Sequence, residues 1–361
     1  MKMKKVNSAL AAPLAAFALG ITVSGLALLV SGKNPLAAFK QMAEYGFTVD
    51  SVVNATNQAI PSFIAALAVA IGFKTNLFNI GVEGQYRLGA IFAGAVGANI
   101  GGPGWFKILA AILASMTVGA VYAGIAGLLK AYRNVNEVIS TIMLNGVMTA
   151  LVAILLNWTV IATMQNQQLR TPKLPESARF PSITIGESQL WTWLFIAILL
   201  GIVFHYLTNR STFGFELRAS GINPGAAVAS GVSPKKMIIT TMLISGAIAG
   251  MVGLPHLFQD RFDFRQDFPQ GFGAAGIAVA LVGRQKAIGM GIAAFLFAFI
   301  ARSAQALTSP PTRGTPEIGT ILIGTMMLAA VIAYEVVRRQ SEAAAVREAA
   351  QVVTQAESVP A

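Results

Sequence analysis

The sequence predicts an all-α fold: a polytopic membrane bundle of about ten transmembrane helices. Of its 361 residues, 55% are hydrophobic and only 11% are charged, whereas soluble domains carry about 25% charge. Apolar runs close to the roughly 20 residues that a spanning helix needs recur along most of the chain, separated by short polar breaks. Together these observations predict a membrane protein with one dominant intramembrane domain, at residues 1–340.

The charge and the rare residue types narrow the possible partners. A net charge of +11 could indicate nucleic-acid binding, but in so apolar a chain basic residues typically mark cytoplasmic loops. The sequence has no cysteine and two isolated histidines, His205 and His256, which excludes a disulfide framework and argues against a metal site. We therefore expect contact with membrane lipid, no nucleic acid, no metal and no cofactor.

Ten apolar runs are interpreted as the spans, near residues 8–30, 58–73, 86–101, 108–129, 137–160, 190–208, 237–256, 272–283, 288–306 and 316–335. The first follows a basic start, as a secretory signal does, but exceeds a typical signal in length. We interpret it as an uncleaved span, with signal cleavage as the alternative. The second and eighth runs fall short of about 17 residues and are expected to be broken, tilted or re-entrant.

The basic residues predict the orientation of the chain. With ten spans, every basic cluster between them falls on one side of the membrane, and that side is cytoplasmic by the positive-inside rule. Both termini are then cytoplasmic, and residues 341–361 form a cytoplasmic tail. Residues 34–57 and 163–189 are external, the former with the periodicity of a helix along the membrane surface. The clusters are Lys2, Lys4, Lys5, Lys130, Arg133, Arg210, Arg218, Lys235, Lys236, Arg284, Lys286, Arg338 and Arg339.

The cytoplasmic segment 210–236 encodes a short helix between two turns. Asn223 and Pro224 form an N-cap and first-turn pair, and Gly231 can adopt the left-handed conformation that ends a helix. Ser233 and Pro234 then repeat the start signal. A helix of two turns is marginal in water on its own, so it needs a partner surface. One interpretation is a loop packed against its own helix ends, and the other is a coupling helix that seats in a separate cytoplasmic subunit.

This segment resembles the coupling loop of a known permease family. The stretch "FGFELRASGINPGAAVASGV" followed by "SGAIAGMVG" is similar to the family that serves ribose-type and nucleoside ABC importers. "FKTNLFNIGVEGQYRLGA", "NEVISTIMLN" and "GFGAAGIAVALVGR" resemble its other signature stretches, and "LFNIGVEGQ" favours the nucleoside branch over the sugar branch. The coupling residues implied by the resemblance and by the cap signals are Glu216, Leu217, Arg218, Ala219, Gly221, Asn223, Pro224, Ala226, Ala227 and Gly231.

The resemblance implies a type II-like importer permease with several partners. These are two ATP-binding cassette subunits, a second permease subunit (in a heterodimer rather than a homodimer), an extracellular substrate-binding lipoprotein and a nucleoside substrate. The sequence contains no phosphate-binding loop of the G-x-x-x-x-G-K-[ST] type, no H-E-x-x-H motif and no serine elbow. We therefore expect a permease that is not an enzyme and whose ATP is hydrolysed by separate subunits.

The polar stretch "NLFNIGVEGQ" at residues 76–85 interrupts two apolar runs. An ionisable group at membrane depth usually faces the bundle interior or water, and two glycines among polar residues are typical of a broken helix beside a cavity. The candidates for lining a translocation path are Asn76, Asn79, Glu83, Gln85 and Asn145. The alternative is that they brace helix ends, with Glu83 paired to Arg87 one turn later.

Smaller features carry alternatives of their own. Asn136 is expected to cap the fifth span, and the pairs Gly246/Gly250 and Gly97/Gly101 to permit close helix contact. The segment "DRFDFRQDFPQGFG" at residues 260–273 is either a solvated external loop with aromatic anchors or a docking surface for the receptor.

Two other functions remain open at this stage. A sugar importer of the same family is one. An ion-coupled secondary transporter is the other, and for it only Glu83 and Glu137 are candidate ion-coupling groups.

Overall fold

The computed structural model describes residues 18–157, 161–165, 167–310, 317, 319–321, 323–325 and 328. The chain divides into two compact units, one formed by Val49–Phe299 and one by Met1–Thr48 with Ile300–Ala361. Both are mainly helical. The helices are α1 (Ala18–Val30), α2 (Pro35–Gly46), α3 (Val49–Lys74), α4 (Val82–Asn99), α5 (Gly104–Arg133), α6 (Glu137–Leu156), α7 (Trp193–Asn209), α8 (Thr212–Ile222), α9 (Pro224–Ala229), α10 (Pro234–Arg261), α11 (Phe272–Val282) and α12 (Ala287–Ala304).

The helices confirm a multi-pass membrane protein. Among the described residues, five helices are long and apolar enough to cross a bilayer, namely α3, α5, α6, α10 and α12 with its extension to Thr308. A sixth arises if α7 and α8, which meet at a bend of 65°, count as one span. Helices α1 and α11 are apolar but shorter. The predicted number of ten stays a prediction, and the run at 316–335 and the tail at 341–361 lie largely or wholly outside the described residues.

The predicted surface helix at residues 34–57 is wrong in its extent. The structure ends α2 at Gly46 and begins α3 at Val49, so the second half of that segment belongs to a helix of 26 residues. Asn34 caps α2 by accepting from the backbone N–H groups of Leu36 and Ala37. Polar side chains of α3 such as Asn57 are buried because the segment 182–191 covers them, as the bond from the Asn57 amide to the Gln189 carbonyl shows.

Two short β-hairpins, which the all-α prediction missed, lie in the segment between α6 and α7. Strand β1 (Thr163–Gln165) pairs antiparallel with β2 (Gln168–Arg170), and β3 (Ser182–Ile185) with β4 (Ser188–Trp191). Each strand has only three or four residues, too few for alternation to be visible in the sequence.

Helices α5 and α10 approach each other backbone to backbone in the larger unit. A Cβ on Gly246 would lie 2.3 Å from the carbonyl oxygen of Gly119, and a Cβ on Gly250 would lie 2.2 Å from that of Ser115. The Ser115 hydroxyl also donates to the Gly250 carbonyl at 2.7 Å. The predicted role of Gly246 and Gly250 in close packing is thus confirmed. The prediction is wrong for Gly101, which lies beyond the end of α4 with open space around it.

The smaller unit is held by polar contacts at the end of α2. The Gln41 amide donates to the carbonyls of Ala306 and Ser309 at 2.8 and 3.1 Å. The guanidinium of Arg302 lies over the Tyr45 ring, 5.4 Å from its centroid. These contacts join α2 to the last turn of α12 and to the segment that follows it.

Candidate functional site

The polar stretch at residues 76–85 contains a helix break, as predicted, and its last four residues begin α4. Helix α3 ends at Lys74 and α4 begins at Val82. The N–H groups of Thr75 and Leu77 both donate to the Gly72 carbonyl at 3.0 Å, which turns the chain back on itself. Asn76 has a φ of 56°, the left-handed conformation that asparagine tolerates better than most residues, and its side chain is exposed. It therefore shapes the turn.

Asn79 and Gln85 form a reciprocal amide pair inside the protein. The Asn79 Nδ2 donates to the Gln85 Oε1 at 2.9 Å, and the Gln85 Nε2 donates to the Asn79 Oδ1 at 2.8 Å. Asn79 also donates to the Ser245 hydroxyl, which in turn donates to the Ala68 carbonyl. Both amides are at most 1% exposed. Because buried polar groups are stable only when paired, these two residues brace the break, and their role in lining a path stays a prediction.

Glu83 joins the break to the start of α11. Its Oε1 accepts from the Tyr86 hydroxyl at 2.6 Å and from the Gly271 N–H at 2.9 Å, and its Oε2 accepts from the Gly273 N–H at 3.0 Å. Gly271, the N-cap of α11, has no side chain to offer these amides. A carboxylate at a helix N-terminus is also favoured by the helix dipole. Arg87, the partner expected for Glu83, donates instead to the Gln266 carbonyl at 3.0 Å.

Asn145 reaches the same break from α6. Its Nδ2 donates to the Ile80 carbonyl and its Oδ1 accepts from the Gly84 N–H, each at 2.9 Å. These are backbone groups that the interruption between α3 and α4 leaves without a helical partner. These bonds agree with the alternative that Asn145 braces helix ends. Asn136 caps α6 as expected, by accepting from the N–H groups of Val138 and Ile139.

A cleft of about 550 Å³ opens where these elements meet. This volume lies within the range of about 300–1,000 Å³ that is typical of small-molecule sites. Of the five predicted path residues, the structure places Glu83 and Asn145 on the cleft wall. The residues that line the cleft are Ile80, Glu83, Asn145, Gln270, Gly271, Ala274 and Ile277.

Gln270 is the cleft residue that the sequence did not indicate. It belongs to the segment 260–273, for which the sequence suggested a solvated loop or a docking surface. Only the position of this segment against the helix break, far away in sequence, brings Gln270 to the cleft. No local pattern could have identified it.

The rest of that segment is tied into the protein. Asp263 is 1% exposed, and its carboxylate contacts Arg170 at 3.1 Å and Arg265 at 3.0 Å. The backbone N–H of Thr171 donates to the Phe264 carbonyl at 3.0 Å. The expectation of a solvated loop is wrong for this part, because the segment is paired with residues 170–174. Gln266 and Asp267 remain exposed.

The predicted short helix is present as α9 (Pro224–Ala229), and its role in coupling stays a prediction. Asn223 accepts from the Ala226 N–H at 3.0 Å and Pro224 occupies the first position, while Gly231 has a φ of 79°. Pro224, Ala226 and Gly231 are exposed, and Ala227 is buried. The three local signals, namely the Asn223 cap, Pro224 and the left-handed Gly231, are confirmed by this geometry.

Two apolar side chains on the same segment are also exposed. Ile222 is 85% exposed and Val228 is 60% exposed. Within the described part of the chain nothing covers these two side chains. The segment therefore presents a short helix of mostly small residues, with one exposed apolar side chain before it and one near its end.

Residues 212–222, expected as loop, form the helix α8. Ser211 caps it by accepting from the Gly214 N–H, and Leu217 is fully buried. Glu216 and Ala219 are partly buried. Arg218 turns back and donates to the Thr208 carbonyl at the end of α7. Its guanidinium thus caps the end of α7, and its predicted part in coupling stays a prediction.

Gly221 brings α8 against the helix break. A Cβ at this position would lie 2.5 Å from the carbonyl oxygen of Lys74 and 3.0 Å from the Cα of Thr75. Only glycine permits so close an approach of one backbone to another. The segment that carries α9 thus touches the point at which α3 ends.

Comparison with known proteins identifies the family of the chain. The family model described as "branched-chain amino acid transport system / permease component" matches residues 51–331. The chain belongs to this family of permease components. No solved structure gives a significant match.

Three curated relatives cover most of the chain. A guanosine ABC transporter permease of Bacillus subtilis is 35% identical over 92% of this chain and 96% of its own length. A nucleoside ABC transporter permease of Lactococcus lactis is 30% identical over 82% and 84%. A glucose ABC transporter permease of Haloferax volcanii is 30% identical over 78% and 76%.

Proposed function

We propose that this chain is the transmembrane subunit of an ATP-binding cassette importer that carries nucleosides across the cytoplasmic membrane. The observation that carries the proposal is the joint occurrence of an exposed, doubly capped short helix and a cleft beside two interrupted helices. The two nucleoside-transport relatives at 30 and 35% identity support the substrate class. The chain itself transforms no substrate.

Helix α9 is the proposed contact with the ATPase subunit. It is exposed on most of its surface, and helices this short are marginal in water without a partner. Its small residues allow close seating in a cleft, and Ile222 and Val228 supply apolar area at either end. Leu217 and Arg218, also among the predicted coupling residues, hold α8 in place beside it.

The proposal includes an orientation and an assembly. Helix α9 and both termini face the cytoplasm, residues 1–340 form the transmembrane domain, and residues 341–361 form a cytoplasmic tail. An extracellular lipoprotein delivers the substrate, and a second permease completes the pathway. Two different guanosine ABC transporter permeases of Bacillus subtilis are similar to this chain, at 35 and 25% identity, which supports a heterodimer.

The ion-coupled alternative loses its candidate residues. Glu83 accepts three hydrogen bonds, and Glu137 forms an ion pair with Lys130 at 3.0 Å. Neither carboxylate is therefore available as a simple ion-binding group. A sugar substrate remains the second candidate, because one relative with 30% identity is a glucose permease.

Uptake into vesicles that contain the whole complex tests the function. We expect uptake of radiolabelled guanosine that requires ATP and the cassette subunits and that unlabelled nucleosides compete for. Competition by glucose or ribose alone would favour a sugar importer. Uptake by the purified chain alone, driven by a proton or sodium gradient, would refute the proposal.

Replacing Ala226 by tryptophan tests the coupling helix. The bulky ring should prevent α9 from seating, so ATP-driven uptake is expected to fall at least about tenfold, since a well-packed interface centre tolerates little change. The cassette subunit should no longer co-purify with the chain. Ala43→Trp on α2, another exposed alanine, is the matched control and should leave both measurements unchanged. Unaltered uptake in Ala226→Trp would remove this assignment.

Cysteine labelling tests the orientation. The chain has no cysteine, so Asn223→Cys and Ala43→Cys each introduce one thiol. A membrane-impermeant maleimide should label Ala43→Cys in intact cells and Asn223→Cys only after the cells are opened. The reverse pattern would overturn the proposed topology.

A further inference from the structure

The polar side chains on the cleft wall differ in whether their hydrogen-bonding groups already have partners within the protein. Glu83 uses both carboxylate oxygens to hold the Tyr86 hydroxyl and the start of α11. Asn145 uses both its amide nitrogen and its amide oxygen on the backbone of the break. A ligand could engage either residue only by breaking bonds that hold two interrupted helices. These two residues therefore maintain the structure of the cleft and do not recognise a bound ligand.

Gln270 is the third polar side chain of the cleft, and its amide is not engaged. In the part of the chain that the structure describes, its side chain forms no hydrogen bond and is exposed. The backbone on either side of it is fixed. The Pro269 carbonyl lies 2.9 Å from the Tyr86 hydroxyl and shares its single proton with Glu83. The Gly271 N–H donates to Glu83. The amide is thus held at the cleft by an anchored backbone while its donor and acceptor stay free.

The surroundings of Gln270 favour a planar ring with polar edges. Ile80, Ala274 and Ile277 supply apolar surface to the same cleft, and Gly271 has open space where a Cβ would be. A glutamine amide presents one donor and one acceptor side by side, the pattern that pairs with adjacent acceptor and donor groups of a nucleobase. A ribose hydroxyl needs no such matched pair.

We propose that Gln270 is a specificity-determining residue of this permease, and that its amide recognises the hydrogen-bonding edge of the nucleobase. The inference rests on the proposed nucleoside function. In this proposal a residue outside the helix break discriminates between bases. Glu83 and Asn145 maintain the shape of the cleft.

The test compares two nucleosides that differ at the base edge. A separate receptor sets the apparent KM, so the measurement is the maximal uptake rate with the receptor saturated. The probes are guanosine and purine riboside, which lacks the exocyclic groups of guanine. The wild-type complex is expected to carry guanosine about tenfold faster, in keeping with the discrimination that one paired amide gives. Gln270→Ala should make the two rates similar by slowing guanosine alone.

The controls separate this inference from the proposed function. Gln270→Glu offers acceptors only and should change the order of preference among guanosine, inosine and purine riboside. Gln266→Ala replaces an exposed glutamine four residues earlier that does not line the cleft, and its rates should equal those of the wild type. Equal guanosine-to-purine-riboside ratios in wild type, Gln270→Ala and Gln270→Glu would overturn the inference. Absence of nucleoside uptake in the wild-type complex would instead refute the proposed function.

Discussion

Replacing Gly246 by alanine is expected to destabilise the protein by about 1–3 kcal/mol, and replacing it by leucine is expected to leave little folded protein. A Cβ at this position would lie 2.3 Å from the Gly119 carbonyl oxygen and 2.5 Å from the Ala123 Cβ. The first of these neighbours is backbone and cannot rotate away. The clash can be relieved only if α5 and α10 separate along their crossing, which also strains the bond between Ser115 and Gly250.

The measurement is the thermal unfolding midpoint of the purified protein in detergent, together with the monodisperse fraction in size-exclusion chromatography. Gly146→Ala in α6 is the matched control, because nothing lies within 4 Å of a Cβ there. Alanine forms helix better than glycine by up to about 1 kcal/mol, so this control should raise the midpoint slightly. A Gly246→Ala midpoint equal to or above that of the wild type would contradict the close contact.

Glu83→Ala is expected to reduce uptake at least about tenfold and to destabilise the folded protein by roughly 2–4 kcal/mol, since hydrogen bonds to charged groups contribute about 1.5–3 kcal/mol each and do not add fully. The substitution removes the acceptor of three hydrogen bonds and leaves the N–H groups of Gly271 and Gly273 without their partner. The start of α11 would then no longer be fixed against α4, and the wall of the cleft would lose its shape.

Glu83→Gln separates hydrogen bonding from charge. Its amide oxygen can still accept from Tyr86 and Gly271, but its NH₂ group would face the Gly273 N–H, so one donor would oppose another. An intermediate loss of uptake and stability is expected. Glu176→Gln changes a carboxylate whose side chain is 92% exposed and serves as the control. Full uptake in Glu83→Ala would show that the carboxylate does not hold these helices together.

The sequence predicted those parts of the site that depend on neighbouring residues. Local capping chemistry defines α9. Asn223 and Pro224 mark its beginning and Gly231 marks its end, so both ends can be recognised from the residues next to them. The break was likewise visible, because two glycines and four polar residues within positions 76–85 interrupt apolar runs. The membrane class followed from composition alone.

The remaining parts depend on residues that are distant in sequence. Asn79 donates a hydrogen bond to Ser245, and Glu83 accepts hydrogen bonds from Gly271 and Gly273. In each case the two partners are more than 160 positions apart. Whether a polar group lines a cavity or braces a helix is decided by such partners, and a single sequence does not reveal them. Helix α8 was missed because Gly214, Ser220 and Gly221 are weak helix formers. The buried Leu217 and the bend at α7 stabilise it instead.

The contact of Gly221 with the end of α3 limits how motion can be absorbed. Two side chains that meet can change rotamer and yield, whereas two main chains in contact have no such freedom. A displacement of α8 must therefore move the carbonyl of Lys74 as well. From Lys74 the polypeptide continues through the Asn79–Gln85 amide pair, within which Glu83 lies. The rigid contact at Gly221 therefore couples the geometry of the cleft to the position of α8 and α9.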